Sequence, residues 1–259
     1  MDQFFAFWGG ACLGSFVNVL IYRLPREQSV VSPRSRCPHC HRPISFYDNI
    51  PILSWILLRG KCRGCRGRIA RRYPLVELAM ACLSSAIWNR WDAAPRWAVL
   101  AVLAAGCLLA VAIIDWDTFL IPDWLSLGLV ASGIAAAPLN PFFAGGAWPW
   151  SLLRSLGGAA VGLGICWGTA VAGEKIFKKE AMGGGDVKLL AGVGAWTGAL
   201  GAFDCLIVAS FLGSIYGIGL IAGGRLKRSD PIPFGPFLSA AAVFNFFYLL
   251  PLGFPFITR

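Results

Sequence analysis

The sequence predicts an all-α polytopic membrane protein of about eight transmembrane helices, with one small cytoplasmic loop domain that contains four cysteines. Of its 259 residues, 57% are hydrophobic and only 14% are charged, and the mean hydropathy is +0.65. These values exclude an ordinary soluble domain. Apolar runs long enough to span a bilayer recur along the chain. The basic residues cluster in a few of the segments between these runs, which is the positive-inside pattern of membrane proteins.

The predicted spans allow for helix tilt and for local thinning of the bilayer. We place them at 4–22, 75–89, 97–114, 123–138, 152–172, 188–203, 205–223 and 235–257. The first has no basic segment before it and no small-residue cleavage site after it, so we expect it to be retained as a span. The chain then divides into a first transmembrane helix at 1–22, a cytoplasmic loop domain at 23–74 and a transmembrane domain at 75–259.

The basic residues of loop 23–74 set the expected orientation. They are Arg23, Arg26, Arg34, Arg36, Arg42, Arg59, Lys61, Arg63, Arg66, Arg68, Arg71 and Arg72. Because only Glu27 and Asp48 oppose them, we expect this loop to face the cytoplasm. The uncharged segment 139–151 then lies at the outer interface. Topology and anionic lipid head groups explain the net charge of +10, so we expect membrane lipid as a partner and no nucleic acid.

Four cysteines of this loop form two C-x-x-C pairs with 21 residues between the pairs. They are Cys37, Cys40, Cys62 and Cys65. This spacing is typical of a structural zinc site, whose four thiolate ligands leave no open position for a catalytic water. The alternative is two disulfide bonds, which a reducing cytoplasm disfavours. His39 and His41 could replace a cysteine ligand, but their adjacency to the first pair indicates bystanders.

Two aspartates lie where predicted spans meet the cytoplasmic side. Asp115 follows the apolar run 108–114, and Asp186 closes the glycine run 183–185. Ionisable groups in or at the ends of spans are costly and indicate functional sites. Two carboxylates that meet suit aspartyl proteolysis, because an ionised one takes a proton from water while a protonated one polarises the scissile carbonyl. The alternative for Asp186 is a solvated carboxylate at a helix N-terminus.

Four further charged residues lie at or near the ends of predicted spans. Asp123 follows a proline at a predicted helix start, which favours a structural role. Asp117 lies two residues beyond the first aspartate and further into the loop. Lys188, two residues after the second aspartate, could favour its ionisation or extend to the membrane surface. Glu77 could pair with a neighbouring arginine or contact a positively charged substrate, and these alternatives stay open.

Six groups of residues resemble, in order, the signatures of the type 4 prepilin peptidases, and together they cover nearly the whole chain. They are 14–19 with 22–25, 37–40 with 47–51 and 54–55, 60–77, 114–115 with 120–123, 183–190, and 233–237. The fifth contains the G-x-G-D pattern of intramembrane aspartyl proteases. The resemblance implies that Asp115 and Asp186 are the catalytic aspartates.

The resemblance also implies a substrate and two cofactors. Such enzymes remove the short basic leader of type IV prepilins or pseudopilins after a glycine, on the cytoplasmic face of the bacterial inner membrane. Many then methylate the new N-terminal amine with S-adenosylmethionine, and members with both cysteine pairs are usually bifunctional. We therefore expect structural zinc, S-adenosylmethionine as methyl donor, and prepilins of a type IV pilus or type II secretion system as partners. No residue of the sequence marks the methyl-donor site.

Other functions fit fewer of these observations. A peptidase without methyltransferase activity uses the same aspartates. A transporter with a carboxylate proton relay would need ionisable groups near the bilayer midplane, whereas both aspartates lie at span ends. A zinc-dependent binding module on a membrane anchor leaves the aspartate pair unexplained.

Overall fold

The computed structural model describes residues 1–143, 148–178, 182–227 and 230–248. Within these ranges the regular structure is helical, apart from two isolated β-bridges, so the predicted all-α class is confirmed there. The α-helices are α1 Asp2–Arg23, α2 Leu53–Leu57, α3 Arg72–Arg90, α4 Pro95–Thr118, α5 Asp123–Ala136, α6 Trp148–Phe177, α7 Gly184–Ala222 and α8 Gly235–Asn245. The chain forms two compact units, Met1–Gly106 and Cys107–Arg259.

Four helical stretches are long and apolar enough to cross a membrane. They are Asp2–Arg26, Pro95–Thr118, Trp148–Ile176 and Gly184–Ala222. The stretch Asp123–Leu139 is apolar but shorter. The protein is therefore an integral membrane protein, while the number of eight spans stays a prediction. Part of the last predicted span, 249–257, lies outside the described residues.

In the first unit, α1 and α3 run antiparallel against each other. Near one end, Nε2 of Gln3 donates to Oδ1 of Asn89 at 3.3 Å. Near the other end, Nδ2 of Asn18 donates to the carbonyl of Tyr73 at 3.1 Å. These bonds join the beginning of α1 to the end of α3 and the end of α1 to the beginning of α3. The two helices therefore lie side by side along most of their length.

In the second unit, α7 packs against α5, α6 and α8. It is 39 residues long and is broken at Gly198, whose φ of 77° and ψ of −178° are not helical. Glycine adopts this positive φ without a Cβ clash. The predicted spans 188–203 and 205–223 correspond to the two segments of α7, but the junction lies at Gly198 and not at Asp204. The charged residue Asp204 interrupts the apolar run of the sequence, but the helix continues through it.

Side chains from outside α7 compensate for the break. Oγ of Ser155 donates to the carbonyl of Ala195 at 2.8 Å, and Nδ2 of Asn140 donates to the carbonyl of Trp196 at 2.7 Å. Both carbonyls precede Gly198 by less than one turn, where a break removes helical N–H donors. Neighbouring polar side chains can take over this function at membrane depth. The bond from Ser155 holds the end of the first segment of α7 against α6, and the bond from Asn140 joins it to the segment that follows α5.

Candidate active site and cysteine cluster

The loop between α1 and α3 contains two turns that repeat one hydrogen-bond pattern with an offset of 25 residues. In each, the first cysteine of a pair donates its N–H to the carbonyl five residues later, at 3.0 Å for Cys37 and 2.8 Å for Cys62. The residue after the second cysteine has a φ of 56° in both turns, and a β-bridge closes each turn. The turns share only their cysteines and a final isoleucine, so the repeat was not predicted from sequence.

The two turns bring four sulfur atoms together, and we call Cys37, Cys40, Cys62 and Cys65 the cysteine cluster. The four Sγ atoms all lie within 4.8 Å of one another, and those of Cys37 and Cys65 are 3.8 Å apart. A tetrahedral zinc site with Zn–S bonds of about 2.3 Å separates its sulfurs by about 3.8 Å, whereas a disulfide needs about 2 Å. All nine cysteines are free. The disulfide alternative is therefore wrong for this structure, and the donor set fits one tetrahedral metal ion.

The backbone of the second turn favours a thiolate. Hydrogen bonds from the backbone N–H groups of Cys65 and Gly64 lower the pKa of Cys62 to about 7. The N–H of Gly67 acts to lower the pKa of Cys65, but burial and hydrogen bonds with the neighbouring thiols raise that pKa to about 11. The opposite shifts arise because one thiolate in the cluster disfavours a second. A cation would favour all four thiolates, which are the form that binds metal.

The two histidines lie beside the cysteine cluster and not within it. The group of residues that could hold a metal ion contains the four cysteines and neither His39 nor His41. The imidazole of His39 covers the backbone of Gly67, where a Cβ would lie 2.8 Å from its Cδ2. His39 therefore packs the first turn against the second, in agreement with the predicted bystander role.

Asp115 lies in the last turn of α4 and is only 5% exposed. Its Oδ2 accepts a hydrogen bond of 2.8 Å from the backbone N–H of Gly235, which begins α8. A Cβ at position 235 would lie 2.8 Å from that same oxygen. Only glycine therefore lets the start of α8 reach the carboxylate without displacing it. The motif 233–237 can be recognised in the sequence, but the contribution of its backbone N–H to the site cannot.

Asp186 lies in the first turn of α7. Its backbone N–H donates to the carbonyl of Gly183 at 3.1 Å. Its Oδ1 is buried and has no hydrogen-bond partner within the described part of the chain, and the charge of Asp115 acts on it. The two predicted aspartates, from α4 and α7, therefore lie close enough for their charges to interact. We call them the aspartate pair.

Asp123 and Lys188 form an ion pair of 2.7 Å between the beginnings of α5 and α7. The two roles predicted for Lys188 were to favour ionisation of Asp186 and to extend to the membrane surface, and neither describes this contact. The partner, Asp123, is 65 residues away in sequence. Both side chains are exposed, so the pair contributes little to stability. The predicted structural role of Asp123 agrees with this contact. Asp117 is exposed, as expected from its place further into the loop.

Glu77 has a contact that neither sequence alternative anticipated. It is 8% exposed, and its Oε2 accepts a 2.7 Å hydrogen bond from the backbone N–H of Ile52 in the loop. The side chain of Ser15 in α1 also acts on this carboxylate, and the Cα of Glu77 lies against Gly14 of the same helix. Glu77 therefore joins α1, α3 and the loop between them.

Two family models match the chain. The Bacterial Peptidase A24 N-terminal domain matches residues 9–91, which include the cysteine cluster. The Type IV leader peptidase family matches residues 79–218, which include the aspartate pair and more than half of the chain. This chain belongs to the type IV leader peptidase family. The family resemblance predicted from the motifs is confirmed, and the protein is a membrane peptidase of this family.

Similar proteins cover nearly the whole chain. A prepilin leader peptidase/N-methyltransferase of Aeromonas hydrophila is 41% identical in an alignment that covers 88% of this chain and 84% of the relative. One of Dichelobacter nodosus is 36% identical over 93% of this chain and 90% of the relative. A type 4 prepilin-like proteins leader peptide-processing enzyme of Escherichia coli O78:H11 is 34% identical over 91% and 90%. No solved structure matches the chain.

Proposed function

We propose that this protein is an aspartyl endopeptidase that removes the basic leader of type IV prepilins or pseudopilins after a glycine, on the cytoplasmic face of the bacterial inner membrane. The observation that carries the proposal is the electrostatic interaction of Asp115, at the end of α4, with Asp186, at the beginning of α7. Family membership and the names of the relatives support prepilin processing. The proposed architecture has eight spans, with loop domain 23–74 and peptidase domain 75–259.

In the proposed reaction the aspartate pair activates water. Two carboxylates in one site share a proton, so one can accept a proton from water while the other donates to the scissile carbonyl. The N–H of Gly235 stabilises negative charge on Asp115. The Oδ1 of Asp186 makes no hydrogen bond within the described residues, so it is free to exchange a proton with the attacking water or the carbonyl oxygen. Both groups lie at helix ends, which favours peptide cleavage over a proton relay at the bilayer midplane.

We further propose that the cysteine cluster binds one structural zinc ion. Sulfur separations of 3.8 Å and at most 4.8 Å fit four thiolate ligands around one ion. Four protein ligands complete the coordination, so this site supports the fold of loop 23–74 and takes no part in hydrolysis. The ion would fasten the two turns of the loop to each other.

The second proposed activity is N-methylation of the new N-terminus. Its support is the N-methyltransferase in the names of the relatives, together with the presence of both cysteine pairs. S-adenosylmethionine would supply the methyl group. Within the described residues, no contact identifies a site for this donor, so no step is assigned to particular side chains. A peptidase without this activity remains the alternative.

The proposal is tested by incubating the purified protein with a prepilin, with and without S-adenosylmethionine, and measuring the mass of the product N-terminus. We expect loss of the leader in both reactions and one added methyl group only with the donor. The Asp186→Asn protein is the control and should leave the prepilin intact. An unchanged prepilin after incubation with the unmodified protein would refute the peptidase assignment, whereas cleavage without methylation would support the peptidase-only alternative.

A further inference from the structure

The part of the loop between the two cysteine turns has its apolar side outward. In α2, Leu53, Ile56 and Leu57 are 43%, 57% and 79% exposed. Their spacing of i, i+3 and i+4 places them on one helix face. Ser54 of the same helix is buried, and its Oγ donates to the carbonyl of Tyr47 and accepts a hydrogen bond from the backbone N–H of Ile50. The helix is therefore held through a polar side chain while its large apolar side chains are exposed, which is the reverse of a helix on a soluble domain.

A strained turn fixes the beginning of α2. The N–H of Leu53 donates to the carbonyl of Pro51 at 2.6 Å, around Ile52 with φ 63° and ψ −55°. This is the rare form of the γ-turn, and a β-branched residue adopts it only where surrounding contacts hold it. The contact here is the 2.7 Å hydrogen bond from Ile52 to Glu77. Without this bond, the N–H of Ile52 would have no acceptor and the strained turn would lose the contact that stabilises it.

Glu77 also determines where this turn lies along the length of α1. Its Cα lies against Gly14, where a Cβ would lie 2.7 Å away, and its carboxylate is acted on by the side chain of Ser15. Ser15 precedes the end of α1 at Arg23 by eight residues, which corresponds to about 12 Å at the rise of an α-helix. Since α1 is long and apolar enough to cross a membrane, the beginning of α2 lies beside a membrane helix and well inside its end.

Lipid is the occupant that fits the exposed face. Phe46 and Tyr47, just before α2, are 83% and 50% exposed, and aromatic residues are enriched at membrane interfaces. Exposed Arg42 and Arg59 lie on either side of the segment in sequence. Basic side chains beside an apolar face are typical of segments that lie in the interface of anionic membranes. A basic leader peptide would be repelled by the same charges.

We propose that residues 46–57 form an interfacial membrane anchor. The apolar face of α2 and Phe46 insert among the lipids, and Glu77 sets the depth through its hydrogen bond to Ile52. The partner is the surface of a bilayer with anionic head groups. The anchor holds the cysteine cluster against the membrane, and it does not depend on which reaction the aspartate pair performs.

The test uses the full chain in vesicles of phosphatidylethanolamine and phosphatidylglycerol. A photoreactive p-benzoylphenylalanine replaces Leu57 in one protein and Phe46 in a second. The control places it at Arg34, an exposed residue of the same loop. After irradiation, mass spectrometry should find lipid adducts at positions 57 and 46 and none at position 34. Adducts with protein, no adducts at position 57, or equal lipid adducts at positions 57 and 34 would each overturn the proposal.

Two variants test the depth-setting contact in the protein with the probe at position 57. Glu77→Gln keeps an oxygen acceptor for the N–H of Ile52, so lipid adducts should persist. Glu77→Ala removes the acceptor, and lipid adducts should be lost. Retention of adducts in Glu77→Ala, or their loss in a Glu77→Gln protein that remains in the membrane, contradicts the proposed role of Glu77.

Discussion

At the scale of single residues, the candidate active site depends on a backbone group as well as on two carboxylates. Asp115 and Asp186 come from two helices, and the N–H of Gly235 in a third helix fixes one of them. The site therefore has one oriented carboxylate oxygen and one, on Asp186, without a donor among the described residues. This asymmetry suits a pair whose members perform different proton transfers.

Asp115→Asn and Asp186→Asn should each abolish leader cleavage while leaving the protein in the membrane. Residues that act as one catalytic unit are not additive, so the double variant should be no worse than either single one. Asp117→Asn is the matched control and should retain activity, because Asp117 is exposed. The measurement is prepilin cleavage by membranes with equal amounts of each variant. Loss in Asp117→Asn together with activity in Asp115→Asn would move the first catalytic role to Asp117.

Gly235→Ala should lower the cleavage rate although it removes no functional group. The added Cβ would lie 2.8 Å from Oδ2 of Asp115 and push the carboxylate aside, and a displacement near 1 Å can cost about 100-fold in rate. Gly164→Ala is the control, since a Cβ at this α6 position meets nothing within 4 Å. Both proteins are compared by cleavage rate at equal expression. A normal rate in Gly235→Ala would show that α8 does not position Asp115.

Side chains with distinctive chemistry could be assigned from the sequence, whereas a backbone donor and a contact between packed helices could not. Asp115 and Asp186 were found because a carboxylate at the end of an apolar run is costly. The donor at Gly235 was not assigned, because every residue except proline has a backbone N–H. The pairing of Lys188 with Asp123 was missed because it depends on how α5 and α7 pack.

At the scale of elements, the break in α7 is the feature that most affects the candidate site. The first segment of α7 has Asp186 in its first turn and ends at Gly198, and side chains of Asn140 and Ser155 satisfy carbonyls near the break. The predicted spans 188–203 and 205–223 meet at position 204, where the sequence has a charged aspartate. The backbone instead breaks where glycine permits a positive φ, and hydropathy does not report that property.

Asn140→Ala should destabilise the protein by about 1–3 kcal/mol, because it leaves the buried carbonyl of Trp196 without its donor. Ser132→Ala is the control. Ser132 is exposed and bonds a carbonyl within its own helix, so its loss should have little effect. Thermal unfolding of both proteins in one detergent measures the difference. Equal melting temperatures for the two variants would contradict the proposed support of α7.

Replacement of any one cysteine of the cluster by serine should remove bound zinc, and all four variants should behave alike, because metal binding and folding of the loop are coupled. The unmodified protein should contain about one zinc ion per chain. Cys12→Ser, an exposed cysteine of α1, is the control and should keep the metal. Elemental analysis of the purified proteins provides the comparison. Full zinc content in a cluster variant would exclude that cysteine as a ligand.

At the scale of the whole molecule, the candidate metal site and the candidate active site lie in different compact units. The cysteine cluster and Glu77 belong to Met1–Gly106, and the aspartate pair belongs to Cys107–Arg259. The predicted orientation rests on the basic residues of loop 23–74 and the uncharged segment 139–151. Of the latter, Trp148 and Trp150 are 67% and 62% exposed, as interfacial aromatic residues would be.

Reporter cysteines at positions 28 and 150 should be labelled from opposite sides of the membrane, in a background without other reactive thiols. Gln28 and Trp150 are both exposed, so access depends on the side of the membrane and not on burial. In intact cells an impermeant thiol reagent should label position 150 alone, and it should label position 28 after the membrane is opened. Labelling of both positions in intact cells would refute the topology.

The bond between Asp115 and Gly235 has a consequence for biosynthesis. Helices of a membrane protein leave the ribosome in sequence order, and α8 is the last of the described helices to emerge. Until it does, both aspartates are already translated but Asp115 lacks the group that orients it. We therefore expect the nascent enzyme to be inactive while its helices are inserted into the bilayer, and leader cleavage to begin only after α8 has been inserted.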